Sequence, residues 1–350
     1  MPDPTSSAHV LSAHVPLAPR KVCTSLDELL DGVTSREPME HTDSKSGARF
    51  ERVMLGGEHF VVKYLDLTTD WTLRTLGDVG SANLHLWREG ILDRLPDCIV
   101  QPIVGVACDP ACWPPSRGTT LLMRDIGDTL VPPGDDPIPL AQHLGFLDHM
   151  AAMHATFWEA GTEIDVTPMS NRYMELSPWL AIVEAALGSD ALVPRLVGEG
   201  WKRLEEIEPT IAAGVLPLAW DPSPLVAALC TTPTTLVHGN WKFGNLGTAS
   251  DGRTVVFDWE SPGRGNACGD LAWYLAINSA RIPQSKEVAI DAFRSALEGH
   301  GIDTGPWWDR QIALGLLGGL VQFGWEKALG GPSAELDWWG GQVAAGLAQL

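Results

Sequence analysis

The spacing of hydrophobic and polar residues changes character along this chain. Near the start, RFERVML (49–55) and EHFVVKYL (58–65) are β-prone runs joined by Gly56-Gly57, which predicts a hairpin. A helix is expected at about 81–95, followed by strands at 99–107 and 119–123. The segment between those strands, DPACWPPSRG, is too rich in proline to run through the middle of a sheet. The period then becomes helical. Leu140, Leu144, Leu147, Ala151, His154 and Trp158 fall on one face of an amphipathic helix over 139–160. More helical pattern follows at 177–187, 196–208, 285–299, 308–329 and 334–349. One interruption stands inside it: short β-prone runs at 234–237 and 254–257, separated by a polar, glycine-containing segment. A strand-rich front and a helix-rich back predict an α+β chain of two lobes. The expected division is a flexible tail at 1–20, a small β-rich lobe at 21–124 and a large helical lobe at 125–350, with the boundary near 123–127.

Composition narrows the function. There are 44 Asp plus Glu against 24 Lys plus Arg, a formal charge of −20. A chain this acidic repels a phosphate backbone, so nucleic acid is not an expected partner. Six cysteines include no CxxC pair, and they read as reduced thiols rather than a metal site. The most apolar stretch, 312–325, holds four glycines and Gln322. It is shorter than the roughly 20 residues of a membrane span and reads as a buried helix. The first twenty residues lack a charged start followed by an apolar run, so no secretory signal or membrane association is expected, and the chain is expected in the cytoplasm.

The chemistry concentrates in TLVHGNWKFGNLG and the following VVFDWE. Asn245 lies in the loop and Asp258 at the end of the next strand; both offer hard oxygen ligands. A hairpin would bring them face to face, close enough to share one Mg²⁺, which takes a few oxygen ligands plus substrate phosphates. Lys242 adds a mobile positive charge. A dication with a lysine suits a transferring phosphoryl group, whose transition state is stabilised by charge and position.

At this point the sequence resembles a family. HGNWKFGN followed by FDWE is similar to the catalytic loop and metal-binding segment of the aminoglycoside phosphotransferase and choline kinase group, whose pattern is HGDxxxxN and then a strand ending in Asp. LLMRDIGDTL resembles its hinge strand, MAAMHATFW its first large-lobe helix, and GDLAWYL the helix after the metal-binding segment. The resemblance covers roughly residues 40–280 and implies a bilobal protein-kinase-like fold. It implies a phosphotransferase that uses ATP or GTP and Mg²⁺ on a hydroxyl of a small molecule. Residue by residue, Lys63 would hold the nucleotide phosphates, Asn245 and Asp258 the metal, and Lys242 the transferred phosphate. Backbone groups of Met123, Asp125 and Ile126 would meet the adenine, and Asp270 would buttress the loop.

Three departures qualify this. The family's catalytic Asp is Asn240 here. An amide orients a hydroxyl but takes no proton near neutrality, so the readings are a weak or unusual kinase, a nucleotide-binding protein without transfer, or a deliberately inactivated variant. No GxGxxG is present; Ser44, Lys45, Ser46 and Gly47 are the candidate phosphate loop, or an ordinary turn. The helix glutamate expected to pair with Lys63 is Glu89, with Asp93 one turn later as the alternative. Glu260, two places after Asp258, faces either substrate or a second metal, or solvent. Trp241 and Trp259 flank the site, as substrate contacts or as core. The acidic balance favours a cationic or polyhydroxylated acceptor.

Overall fold

The computed structural model describes residues 19–39 and 46–350. Of the tail expected at 1–20, only the last two residues are among them. The strands are β1 (Val33–Met39), β2 (Arg49–Leu55), β3 (Glu58–Leu65), β4 (Ile99–Val100), β5 (Ile103–Cys108), β6 (Thr119–Arg124), β7 (Thr235–Val237), β8 (Leu246–Thr248), β9 (Thr254–Val256) and β10 (Gly263–Gly265). Five of them make one antiparallel sheet in the order β1-β2-β3-β6-β5. The expected hairpin is present, with Leu55 opposite Glu58 across Gly56-Gly57.

Period-two alternation puts Val61, Lys63 and Leu65 on one face of β3 and Val62 on the other. Val61 and Leu65 join the large core shared with the helices, whereas Val62 packs in a small cluster with Leu29 and Leu30. Both faces of the sheet are therefore covered, and Lys63 is turned toward the helical part of the molecule.

Two expectations are corrected. The strand at 99–107 is two strands. Pro102 has no N–H to give, and the Gln101 side chain takes the N–H of Ile103 at 2.7 Å, so the ladder breaks there. β4 instead pairs in parallel with β9, in a sheet of order β4-β9-β8, which ties the front of the chain to the segment carrying Asp258. The helix at 81–95 is Ala82–Arg88, stopped by Gly90 in the left-handed region at φ 66° and followed by a short turn at Ile91–Asp93. A helix at Trp71–Leu76, capped by the Asp70 carboxylate on the N–H groups of Thr72 and Leu73, was not expected. Helices Met169–Met174, Pro209–Trp220 and Ser223–Leu229 were also unforeseen.

The back of the molecule is helical, which with the sheet makes an α+β architecture. Its axis is Trp308–Leu329, packed against Leu192–Ile207, Ala267–Ile277 and Ala334–Leu347. Leu314, Leu317, Leu320 and Val321 on it are fully buried. Gly315 lets it approach the helix that carries Asp270: a Cβ there would lie 2.8 Å from the Cys268 carbonyl oxygen. Among the described residues, no single helix is long and apolar enough to cross a membrane.

Candidate active site

The loop after β7 is held from below. Asp270, in the first turn of Ala267–Ile277, accepts the N–H of His238 at 2.8 Å and of Gly239 at 2.9 Å, and lies 3.2 Å from His154 Nε2. Burial opposes its charge, but these bonds and the neighbouring imidazoles hold its carboxyl below the usual range. Gly239 has φ 75°, and a Cβ on it would meet the Ser261 carbonyl oxygen at 2.4 Å, so only glycine fits. His238 ties the loop to the Asp258 segment. Its Nε2 donates to the Phe257 carbonyl at 3.0 Å, and its Nδ1 accepts the Asn240 N–H at 3.2 Å. Burial keeps this imidazole neutral, its pKa lowered. Trp241 and Trp259 are fully buried on either side of His238, so they are core rather than substrate contacts.

The same loop presents the oxygen donors. The Asn240 carbonyl accepts the Lys242 N–H at 2.9 Å and the Asn245 side-chain amide at 3.1 Å. Asn245 lies just before β8 and Asp258 just after β9; these strands pair with Leu246 opposite Val256, and the Phe257 N–H reaches the Asn245 carbonyl at 3.2 Å. The hairpin thus sets Asn245 and Asp258 side by side. Asp258 adopts φ 67°, an uncommon value for a residue with a Cβ.

Lys63 comes in from the sheet. Its ammonium lies 2.6 Å from Asp258 Oδ1 and 2.6 Å from Glu260 Oε1. Burial opposes its charge, but the two carboxylates raise its pKa and keep it protonated. Burial would also raise Asp258, yet Lys63 and then Lys242 hold it down to about 2. Glu260 is pushed up to about 8, first by burial and then by the charge of Asp258. Lys242 is half-buried and makes no hydrogen bond or ion pair from its side chain among the described residues.

Glu89 is corrected: it is exposed and pairs with Arg88 at 3.1 Å, because it ends the helix on the face away from the sheet. Asp93 pairs with Arg20 instead. Glu260 takes the place expected of a helix carboxylate. The helix contributes Asn83, whose amide donates to the Trp259 carbonyl at 2.9 Å and fixes the turn between Asp258 and Glu260. A buried Asn among apolar helix positions was the available signal. Two further buried carboxylates were missed, Asp70 and Glu175. Burial raises both, Asp70 in the field of Lys63 and Asp258, Glu175 to about 8 in the field of Lys242.

Of the candidate phosphate loop, Ser44 and Lys45 lie outside the described residues. The Ser46 carbonyl accepts the Trp71 N–H at 3.3 Å, and Gly47 lies against the Thr69 carbonyl. Met123 is buried in β6. The N–H groups of Arg124 and Asp125 are taken by the carbonyls of Pro102 and His59, and the Asp125 carboxylate pairs with Arg52 at 3.0 Å. Ile126 follows at the end of the sheet.

The donor set at Asn245 and Asp258 is hard oxygen. Around it, four carboxyls (Asp70, Glu175 and Glu260 buried, Asp258 partly exposed) outnumber two ammonium groups, and the raised Glu175 and Glu260 would ionise more readily beside a dication. Among the described residues no three His, Cys, Asp or Glu side chains form a set that could hold a metal ion, so the remaining ligands would be water and phosphate.

No family model and no curated protein matches the chain. Solved structures do. Choline kinase LicA from Streptococcus pneumoniae is 12% identical, over 92% of this chain and 95% of that one, with a TM-score of 0.47. Macrolide 2′-phosphotransferase MphH from Brachybacterium faecium is 15% identical, over 91% and 98%, with a TM-score of 0.45. A thermostable mutant of aminoglycoside phosphotransferase APH(4)-Ia, in a ternary complex with ADP and hygromycin B, is 14% identical, over 93% and 97%, with a TM-score of 0.45. Two of these carry names of the group that the motifs resemble. At such identities and TM-scores they assign neither a substrate nor a residue role to this chain.

Proposed function

We propose that the chain is a Mg²⁺-dependent phosphotransferase that moves a phosphoryl group from ATP or GTP to a hydroxyl of a small molecule. The observation that carries this reading is the meeting of Lys63, from the sheet, with Asp258, from the loop that also holds Asn245, at 2.6 Å. Two segments far apart in sequence converge there on an ammonium, a carboxylate and an amide oxygen.

Each residue then has a task. Lys63 exchanges its carboxylate partner for the α/β-phosphates. Asn245 and Asp258 would hold Mg²⁺, which supplies charge neutralisation to the phosphates when bound. Lys242, without an ion-pair partner among the described residues, faces the transferred group. Asn240 orients the acceptor hydroxyl by hydrogen bond. Met123, Asp125 and Ile126, at the end of the sheet, are the side on which the base would lie. The excess of carboxyls and the −20 charge favour a cationic or polyhydroxylated acceptor, of aminoglycoside, sugar or choline type. A second reading, nucleotide binding without transfer, is favoured by one observation: Asn240 stands where a carboxylate would take the proton.

The test is thermal unfolding against increasing Mg²⁺·ATP and Mg²⁺·GTP. A ligand at one hundred times its Kd stabilises by about 2.7 kcal/mol, so the melting temperature should rise with nucleotide. Asp258→Ala and Lys63→Met should each remove the rise. A wild-type chain that shows no shift at saturating nucleotide sinks both readings.

A further inference from the structure

Glu175 is a buried carboxylate to which the phosphate-holding arrangement assigns no task. It directly follows helix Met169–Met174. Met169, Arg172 and Tyr173 of that helix line a small cavity with Gly239 and Asp270, so the helix lies against the loop that carries Asn240. Arg172 anchors it there, donating to the carbonyls of Thr167 at 2.6 Å and of Arg264 in β10. Glu175 is 7% exposed, and its Oε2 has no hydrogen-bond partner among the described residues. The charged groups around it are Lys242, Asp70, Arg172 and Asp258, with Lys242 the strongest. A buried carboxylate oxygen with no donor is a cost the fold does not recover by itself. A donor brought by a ligand would recover it.

We propose that Glu175 is the general base of the transfer and takes the proton from the hydroxyl that the Asn240 amide orients. This rests on the phosphotransferase reading above. In the step, the hydroxyl oxygen forms a bond to the γ-phosphorus. The bond from that phosphorus to the β,γ-bridging oxygen breaks, and the nucleoside diphosphate leaves with the electron pair. The hydroxyl proton passes to a carboxylate oxygen of Glu175. With water as the acceptor, the same exchange releases inorganic phosphate. Orientation and proton removal, usually joined in one carboxylate, are here divided between an amide and a carboxylate on neighbouring elements. Burial raises this carboxyl to about 8, close to a neutral operating pH, where a base transfers protons most efficiently.

The experiment measures phosphate released from Mg²⁺·ATP, with water as acceptor, by the full chain and its variants. Glu175→Gln keeps the side-chain volume. It should show the same Mg²⁺·ATP melting shift as wild type, while phosphate release falls about 100- to 10,000-fold. Asn240→Asp added to Glu175→Gln should restore much of that loss, by returning a carboxylate to the loop. Unchanged release in Glu175→Gln overturns the proposal, and so does failure of Asn240→Asp to restore it. Wild-type chain that binds Mg²⁺·ATP but releases no phosphate between about pH 6 and pH 9 overturns it as well. If Glu175→Gln does not fold, Glu175→Asp carries the test: a loss of about tenfold or more with an intact melting shift supports the proposal, and unchanged release defeats it. A wild-type chain with no melting shift defeats the phosphotransferase reading itself, and the proposal with it.

Discussion

The two sides of the Asn240 loop are built on opposite principles. Below it, both oxygens of Asp270 are bonded, to the N–H groups of His238 and Gly239 and to His154. Above it, Asp258 and Glu260 share one ammonium, and Asp70 Oδ2 and Glu175 Oε2 are buried without a partner among the described residues. Both regions are buried and polar, so burial alone does not separate them. In the lower network both oxygens of Asp270 have their donors, and the loop is held in one position, while His154 Nδ1 is the atom left without a partner among the described residues. The upper one is open, with more carboxyls than cations, and it is stabilised most by what binds there. The carboxyl groups on the two sides thus differ in whether their oxygens already have donors.

Breaking the closed side should give the largest effect. Asp270→Ala leaves two buried N–H groups and an imidazole without their acceptor, each worth about 1–3 kcal/mol. The expected loss is at least about 3 kcal/mol, read from denaturant unfolding. A loss within about 0.5 kcal/mol would mean that the loop is held elsewhere.

The open side should respond to pH rather than collapse. Glu175 is raised from 4.5 to about 8 in the native state, so between those values the folded chain binds a proton that the unfolded chain has released. Its stabilising contribution is complete below about pH 4.5 and is lost as pH rises through about 8. Stability should therefore fall by at least about 1 kcal/mol over that window, and Glu175→Gln should flatten the slope. An identical slope in the variant would show that this carboxyl is not the group that titrates.

The smallest effect sharpens the comparison by exclusion. Glu89 is exposed and paired only with Arg88. Glu89→Ala should change stability by less than about 0.5 kcal/mol and leave the Mg²⁺·ATP melting shift intact. A lost shift would return Glu89 to the site.

Much of the fold is legible in the sequence. The hairpin of β2 and β3 follows from two β-prone runs around Gly56-Gly57, and the helices Leu140–Thr156 and Trp308–Leu329 follow from apolar spacing. The pairing of Asn245 with Asp258 followed from strand, loop and strand in a stretch of 25 residues (234–258). Failures came where a side chain overrode a pattern. Gln101 and Pro102 split an apolar run that otherwise reads as one strand. Gly90 ended a helix that polarity would have continued, and this carried Glu89 to the surface.

Local patterning is enough to state which segments become strand or helix and which short loop gathers ligating oxygens, because those outcomes depend on neighbours a few positions away. It does not state that Lys63 meets Glu260, 197 positions later, that Asn83 holds the turn between Asp258 and Glu260, or that Glu175 is left with an unpaired oxygen beside the loop. Those are settled when lobes pack, since burial removes water as the alternative partner and leaves each charge to find another or go without.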